Sequence, residues 1–469
     1  MNISLPAPLV RLGEAFRAGG FSLYAVGGLV RNPLLGLPAS DWDVCTDALP
    51  EEAAALGERA GLRAVPKAPA FGTIEFLGGT GSEPFSIECT TFRADTYGPG
   101  GGHRPTAIAF SDTVEADAFR RDFTVNALYQ DLLTGAVLDP TGGLKDLAAR
   151  RLRATSPDPA VILRDDALRV LRLARFCGEL GFEPEPGTFG AAQRFVGGLK
   201  DISRERVRDE LQKTLLADGK YGNQAGVYQG LHLLDRLGAL EVILPALAAG
   251  RGLGQRQEYH AYDVLEHGLQ TAAQAELAGG LELRLGALLH DVGKPAAFQA
   301  TGRMLHHDQM GADIAREMVT GLRFSNQVQE EVSWLVAHHM FDLEGRAKEP
   351  TLRRRFQEFG AARTRQLIRL RRADVRGSGR NGSEASADRW AQTLSQMLAK
   401  GTPFTEADLA ITGRDLMEQL GLPPGPAVGA VKAALLRHCA QRPGDNSRER
   451  LLAIAARMPV CRQDKVNNS

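Results

Sequence analysis

At 469 residues the chain has room for about three domains. With 43% hydrophobic and 24% charged residues it has an ordinary soluble balance, and no apolar stretch approaches a membrane span. Lys+Arg 56 against Asp+Glu 56 gives zero formal charge, which excludes a chain basic all over but not a basic face offset by acidic sites.

The first six residues, Met1-Asn2-Ile3-Ser4-Leu5-Pro6, lack the basic patch and long apolar run of a signal peptide. Residues 1–150 read as mixed α/β, with short apolar runs at 21–26, 72–77 and 85–90. The turn cluster Gly78-Gly79-Thr80-Gly81-Ser82 predicts that the last two runs form an antiparallel hairpin. From about Asp158 the pattern becomes helical. Over 163–176 the apolar positions Ala167, Leu168, Leu171, Ala174 and Phe176 recur at helical spacing, and the remainder is expected to be all-α. Gly/Arg-rich 250–257 and Gly/Ser-rich 377–386 are candidate boundaries; the polar tail after Lys465 is expected to be disordered. The five cysteines (Cys45, Cys89, Cys177, Cys439, Cys461) are scattered without a CxxC pair, which fits a reducing cytoplasm.

Four groups of residues carry chemistry. In Ala25-Val26-Gly27-Gly28-Leu29-Val30-Arg31-Asn32 a strand ends in two glycines, where backbone can approach a phosphate and Arg31 can offer a charged fork. Asp41 and Asp43, two apart on a strand, point to one face; such a pair holds two Mg²⁺ ions for nucleotidyl transfer, and is also what a solvated strand end carries. Seven of the ten histidines (His260, His267, His290, His306, His307, His338, His339) fall within 80 residues. Between 353 and 380 ten arginines face only Glu358 and Asp374, a local net of +8 that reads as a phosphate-tracking stripe.

The run Gly27-Gly28-x-x-Arg31, Leu35-Gly36, Asp41-x-Asp43, with Gly72-Thr73, 88–93, 120–128 and Asp139-Pro140-Thr141-Gly142-Gly143, resembles the head domain of class II tRNA nucleotidyltransferases of the polymerase-beta superfamily. The resemblance implies Asp41 and Asp43 as Mg²⁺ ligands, Glu88 as a third carboxylate, and Arg121, Asp122 and Asn126 as contacts of the incoming nucleotide. Asn32 stands where the family has Asp, which leaves Arg31 without its usual partner. Residues 164–176 resemble the family's nucleotide-selecting block, which includes Asp166, Arg169, Arg172 and Arg175. Asp166 and Arg169, i and i+3, are expected on one helix face. A carboxylate accepts and a guanidinium donates, which matches the amine and ring nitrogen shared by cytosine and adenine. A plain helical salt bridge has the same spacing.

His267, His290-Asp291 and Asp374 resemble the ligand set of HD-domain metal phosphohydrolases, with His307-Asp308 and His339 standing where further ligands or phosphate contacts occur. Such ligands suit Mn²⁺, Ni²⁺, Co²⁺ or Fe, with Mg²⁺ also possible. Lys294, just after the His-Asp pair, fits a contact to substrate phosphate and equally a solvated lysine at a helix end. The stretch 410–429 resembles the C-terminal segment of bacterial HD-containing members. The expected fold is α+β: a polymerase-beta-like head (1–150), a helical neck (151–250), an HD domain (258–380) and a C-terminal helical tRNA-binding region (387–464). The implied function is addition of C and/or A to the tRNA 3′ end from CTP and/or ATP, joined to phosphohydrolase activity. A poly(A) polymerase of the same family and a regulatory uridylyltransferase with an HD domain are the alternatives. The partners implied are tRNA and nucleotide, with no membrane.

Overall fold

The computed structural model describes residues 6–39, 41–79, 84–98, 103 and 105–459. The expectations placed on residues 1–5, Ser40, the 80–82 part of the glycine turn, Arg104, Cys461 and the tail lie outside them. The chain divides into two compact units, Met1–Ala248 and Ala249–Ser469.

In the first unit, strands β1 (Leu23–Val26), β2 (Asp43–Thr46), β3 (Arg63–Ala68), β4 (Thr73–Gly78), β5 (Phe85–Thr91), β8 (Tyr129–Asp131) and β9 (Val137–Leu138) form one sheet in the order β3-β4-β5-β2-β1-β8-β9. A separate antiparallel ladder joins β6 (Arg93–Thr96) to β7 (Ala107–Phe110). β4 and β5 pair antiparallel, as the run-turn-run pattern predicts, while β2 and β5 are parallel. Helices Ala7–Ala18 and Pro50–Arg59 cover one face of the sheet. Phe76 and Ile87 point into that layer, where Phe16 meets Phe76 edge-on at 6.5 Å. Because successive strand residues alternate faces, Glu75 and Glu88 are turned to the opposite side.

The neck is helical, from Pro159–Asp165 through Leu168–Leu180, Arg204–Leu215, Ala217–Tyr221 and Gly226–Arg236. Two expectations need correction here. A two-residue parallel pair, Arg151–Leu152 with Glu183–Pro184, carries strand structure beyond residue 158. The periodic segment 163–176 is also not one helix: it breaks at Asp166, which is extended (φ −142°, ψ 102°). The Asp166 carboxylate accepts the Leu168 N–H at 3.1 Å, a local bond that competes with helix continuation.

The second unit is all helix among the described residues, and none of its helices is long and apolar enough to cross a membrane. Trp390, Phe356, Leu352, Leu367 and Met397 form one core, and Leu416, Leu435, Cys439 and Leu451 form another nearer the C-terminus.

Candidate functional site

In the head, Asp43 on β2 lies directly opposite Glu88 on β5, and Glu88 lies opposite Glu75 on β4. With Asp41 just before β2, four carboxylates therefore share the uncovered sheet face. They line a cleft of about 400 Å³ together with Trp42, Lys67, Phe85 and Ser86. Burial first, then the Glu88 and Asp41 carboxylates, push Asp43 up to about 6. This repulsion is what a divalent cation relieves, so the donor set fits one. Lys67 Nζ lies 2.7 Å from Glu88 and 3.6 Å from Glu75, and Lys220 Nζ lies 3.7 Å from Asp41. Sequence reasoning missed Lys67, Glu75 and Lys220, because neither the strands that neighbour β5 nor the packing of helix Ala217–Tyr221 beside Asp41 is written in any local pattern.

Gly27 closes β1 at φ +65°, a left-handed conformation that favours glycine, and Gly28 opens the helix Gly28–Leu34. Arg31 stands in the last turn of that helix. It is buried, its Nε and Nη2 donate to Asn32 Oδ1 at 3.1 and 2.8 Å, and Nη1 donates to Asn126 Oδ1. The Asn32 amide oxygen stands where the family has a carboxylate, so Arg31 has a partner after all. From Asn126 the chain of bonds continues to Asp122 Oδ1 (3.0 Å), and Asp122 Oδ2 accepts Arg172 Nε at 2.7 Å. Arg31, Arg172 and Arg175 all lie over the Phe176 ring, Arg175 at 3.9 Å. Arg175 is buried between Glu210 and Glu179 and braces the neck. Arg121 donates to Asp117 Oδ2 at 2.9 and 2.7 Å and to Tyr129 at 3.0 Å, so its fork is held from behind.

Asp166 and Arg169 do not share a helix face, since Asp166 precedes the helix. Asp166 Oδ2 accepts Arg206 Nη2 at 2.6 Å, while Arg169 donates to the carbonyls of Ile162 and Arg120 at 3.0 and 2.8 Å. The helical salt bridge that the spacing also allowed is absent too, among the contacts of these residues described.

In the second unit, four imidazoles converge. His267 Nε2 lies 3.1 Å from both His290 Nε2 and Asp374 Oδ1, and His307 Nε2 lies 3.2 Å from His339 Nε2. Asp291 faces both pairs, with Oδ2 at 3.2 Å from His290 and Oδ1 at 3.2 Å from His307 and 3.5 Å from His339. Two groups result, His267-His290-Asp374 and Asp291-His307-His339, each able to hold a metal ion. The Nδ1 atoms face backbone carbonyls instead: Gly377 (3.2 Å), Ala287 (2.8 Å), Met304 (2.8 Å) and Val336 (2.7 Å). Donation from Nδ1 leaves each Nε2 lone pair aimed inward, the tautomer that metal ligation uses. Two lone-pair nitrogens at 3.1 Å cannot bond each other, which a cation between them resolves. Burial opposes charge on Asp374, yet His267, His290 and Arg371 hold it well below the carboxylate range. Lys294 Nζ sits 2.5 Å from Asp291 Oδ2. Asp308 accepts only from Gln309 among its described bonds and is outside both groups.

The arginine stripe is paired more than its window of sequence suggests. Eight of the ten arginines pair with acids: Arg353 with Glu349, Arg354 and Arg355 with Glu358, Arg363 with Glu331, Arg369 with Glu276, Arg371 with Asp374, Arg372 with Asp388 and Arg376 with Glu384. Most of these acids lie outside 353–380, so the +8 of that window is largely neutralised in the fold.

Comparison with known proteins places this geometry. Residues 23–153 match the Poly A polymerase head domain, 181–250 the probable RNA and SrmB-binding site of polymerase A, and 264–376 the HD domain. The chain is similar to an A-adding tRNA nucleotidyltransferase of Deinococcus radiodurans, 34% identical over 87% of this chain and 89% of that protein. It is similar to the CCA-adding enzyme of Geobacillus stearothermophilus, 29% identical over 94% of each. The solved structure of the Bacillus stearothermophilus CCA-adding enzyme in complex with CTP shares its fold, with a TM-score of 0.71 at 24% identity, over 99% of this chain and 100% of that one.

Proposed function

This chain belongs to the class II tRNA nucleotidyltransferase family with an HD domain, and from that premise we propose that it adds C and/or A to the 3′ end of tRNA. CTP and/or ATP are the donors: the terminal hydroxyl's oxygen bonds to the α-phosphorus as the α–β phosphoanhydride bond breaks, pyrophosphate departs with that bond's electron pair, and the hydroxyl proton passes to solvent water. The observation that carries this reading is the register Asp43–Glu88, which with Asp41 puts three carboxylates on one open sheet face. Those three residues would hold Mg²⁺, which supplies charge neutralisation at the triphosphate and a lowered pKa at the attacking hydroxyl. Gly27 and Gly28 leave room for phosphate, and Arg121, Asp122 and Asn126 border the nucleotide. Arg172 and Arg175 support that wall from the neck. Selection of C and A rests on Asp166 and Arg169, one an acceptor and one a donor, exchanging their present Arg206 and carbonyl partners for the base.

The HD centre is proposed to hydrolyse phosphomonoesters or cyclic phosphates. His267, His290 and Asp374 would hold one cation and Asp291, His307 and His339 a second, with Asp291 facing both. The imidazole and carboxylate set suits Mn²⁺, Ni²⁺, Co²⁺ or Fe over Mg²⁺. Lys294, already on Asp291, is placed to receive the substrate phosphate.

Reciprocal variants test both halves. Asp43→Ala is expected to lower nucleotide addition by about 10³-fold or more, with phosphate release from a cyclic or monoester substrate intact. His290→Ala is expected to lose phosphate release and bound transition metal, measured by elemental analysis, with addition retained. If Asp43→Ala keeps full transfer, or His290→Ala keeps full hydrolysis, the corresponding assignment is wrong.

A further inference from the structure

The segment 250–263 carries no helix or strand of its own, yet its backbone is pinned in place. Asp263 Oδ1 accepts the Glu266 N–H at 2.8 Å and so caps helix Val264–Gln274, the helix that carries His267. Its Oδ2 accepts the Gly252 N–H at 2.7 Å. Ala261 donates its N–H to the Ser378 carbonyl at 2.8 Å, and Val264 donates to that of Leu253 at 3.1 Å. Two side chains of this segment reach the HD centre. Gln255 Oε1 accepts Lys294 Nζ at 2.6 Å, and Gln255 Nε2 donates to the Asp263 carbonyl at 3.3 Å. His260 sets its ring edge-on against His267, with centroids 4.4 Å apart, and lies within electrostatic reach of Lys294, Asp374 and Asp291.

Neither Gln255 nor His260 belongs to either cation group. An ammonium has three N–H donors, and Lys294 gives two of them to Asp291 Oδ2 (2.5 Å) and Gln255 Oε1. A cation on Asp291 competes for the first of these bonds. The second lies outside both groups and keeps Nζ at the centre. His260 Nδ1 is enclosed by protein and meets no hydrogen-bond partner among the described residues. Buried polar atoms are nearly always paired, so this one calls for a group that the centre receives. A phosphate brings what both side chains lack, acceptor oxygens and negative charge. We propose that Gln255 and His260 complete a phosphate subsite with Lys294, in which Gln255 positions the ammonium and His260 donates its Nδ1–H to an oxygen of the same phosphate. The proposal rests on the hydrolase reading above and deepens it, because it lets the centre hold a phosphate without giving up a ligand of either cation.

The test compares full-length wild type with Gln255→Met, which keeps the side chain's length but offers Lys294 no oxygen, and with His260→Phe and His260→Asn. Metal content is measured by elemental analysis, and inorganic phosphate is titrated calorimetrically into the manganese-loaded protein. Gln255→Met and His260→Phe are expected to keep the wild-type metal content and to bind phosphate about tenfold more weakly, the size of one lost charge-assisted hydrogen bond. KM for a phosphomonoester should rise by a similar factor, with kcat within about threefold of wild type. His260→Asn, whose amide N–H can stand in for Nδ1–H, should bring phosphate binding back to within about threefold. Loss of bound metal in Gln255→Met or His260→Phe would make the residue a support of the cation ligands and overturn the subsite, and so would phosphate affinity equal to wild type. His260→Asn binding no better than His260→Phe would overturn the donor role. Should wild type release phosphate from no ester, the hydrolase reading fails, and the phosphate titration still decides whether Gln255 and His260 form the subsite.

Discussion

Asp122 is buried; its Oδ1 accepts Phe123 N at 2.7 Å and Asn126 at 3.0 Å, and Oδ2 accepts Arg172 at 2.7 Å. Burial opposes its charge, but Arg172 and Asn126 outweigh it and bring the carboxyl down to about 2 from 3.8. A folded-state pKa below the unfolded one adds stability that is present above pH 3.8 and fades as pH falls towards 2. Asp122→Asn should therefore cost about 2 kcal/mol at pH 7, a shift of under two pH units at 1.36 kcal/mol each. Urea unfolding should show that gap closing between about pH 4 and pH 2; a gap independent of pH would contradict the ion pair. At this scale much was legible. Asp41, Asp43, Glu88, His267, His290, Asp291 and Asp374 stand in recognisable runs. Arg31 was not legible in that way, because whether a guanidinium turns inward depends on Asn126 and Phe176, remote in sequence. Lys67 and Glu75 carry no motif, and only strand neighbours bring them to the site.

Elements set how closely these residues approach. Helix Leu168–Leu180 crosses Gly226–Arg236 at a point where Gly178 and Gly226 face each other. A Cβ on Gly178 would lie 2.5 Å from the Gly226 carbonyl oxygen, a backbone atom that cannot step aside alone. Gly178→Ala should thus force the helices apart and cost about 1–3 kcal/mol. The helix Leu168–Leu180 carries Arg172 and Arg175, so the same change should weaken nucleotide addition. An unfolding midpoint equal to wild type would contradict the close crossing. The β4–β5 hairpin was legible from its runs and glycine turn, and so was the turn to helices after the head. The break at Asp166 was not, because apolar spacing is blind to a side-chain oxygen that captures a backbone N–H. The two-residue pairing of Arg151–Leu152 with Glu183–Pro184 is too short to leave any periodic signal.

Across the whole molecule, zero formal charge conceals strong local fields of both signs. Carboxylates crowd the head cleft, imidazoles and aspartates crowd the HD centre, and the arginines of 353–380 spend most of their charge on nearby acids. A window of sequence counts charges that the fold then cancels, and this is why the stripe looked freer than it is. The histidine skew kept its meaning in the fold, since His267, His290, His307 and His339 turn their Nε2 atoms towards Asp291 and Asp374. These two clusters underlie the two phosphate chemistries proposed above, with synthesis at an RNA end as the central one. The direct measurement is label transfer to tRNA ending at the discriminator base, at –C or at –CC, with each of the four triphosphates supplied singly. The account predicts incorporation from CTP and/or ATP and none above background from UTP or GTP. Equal incorporation of all four, or no transfer to any of the three tRNA ends, would contradict it.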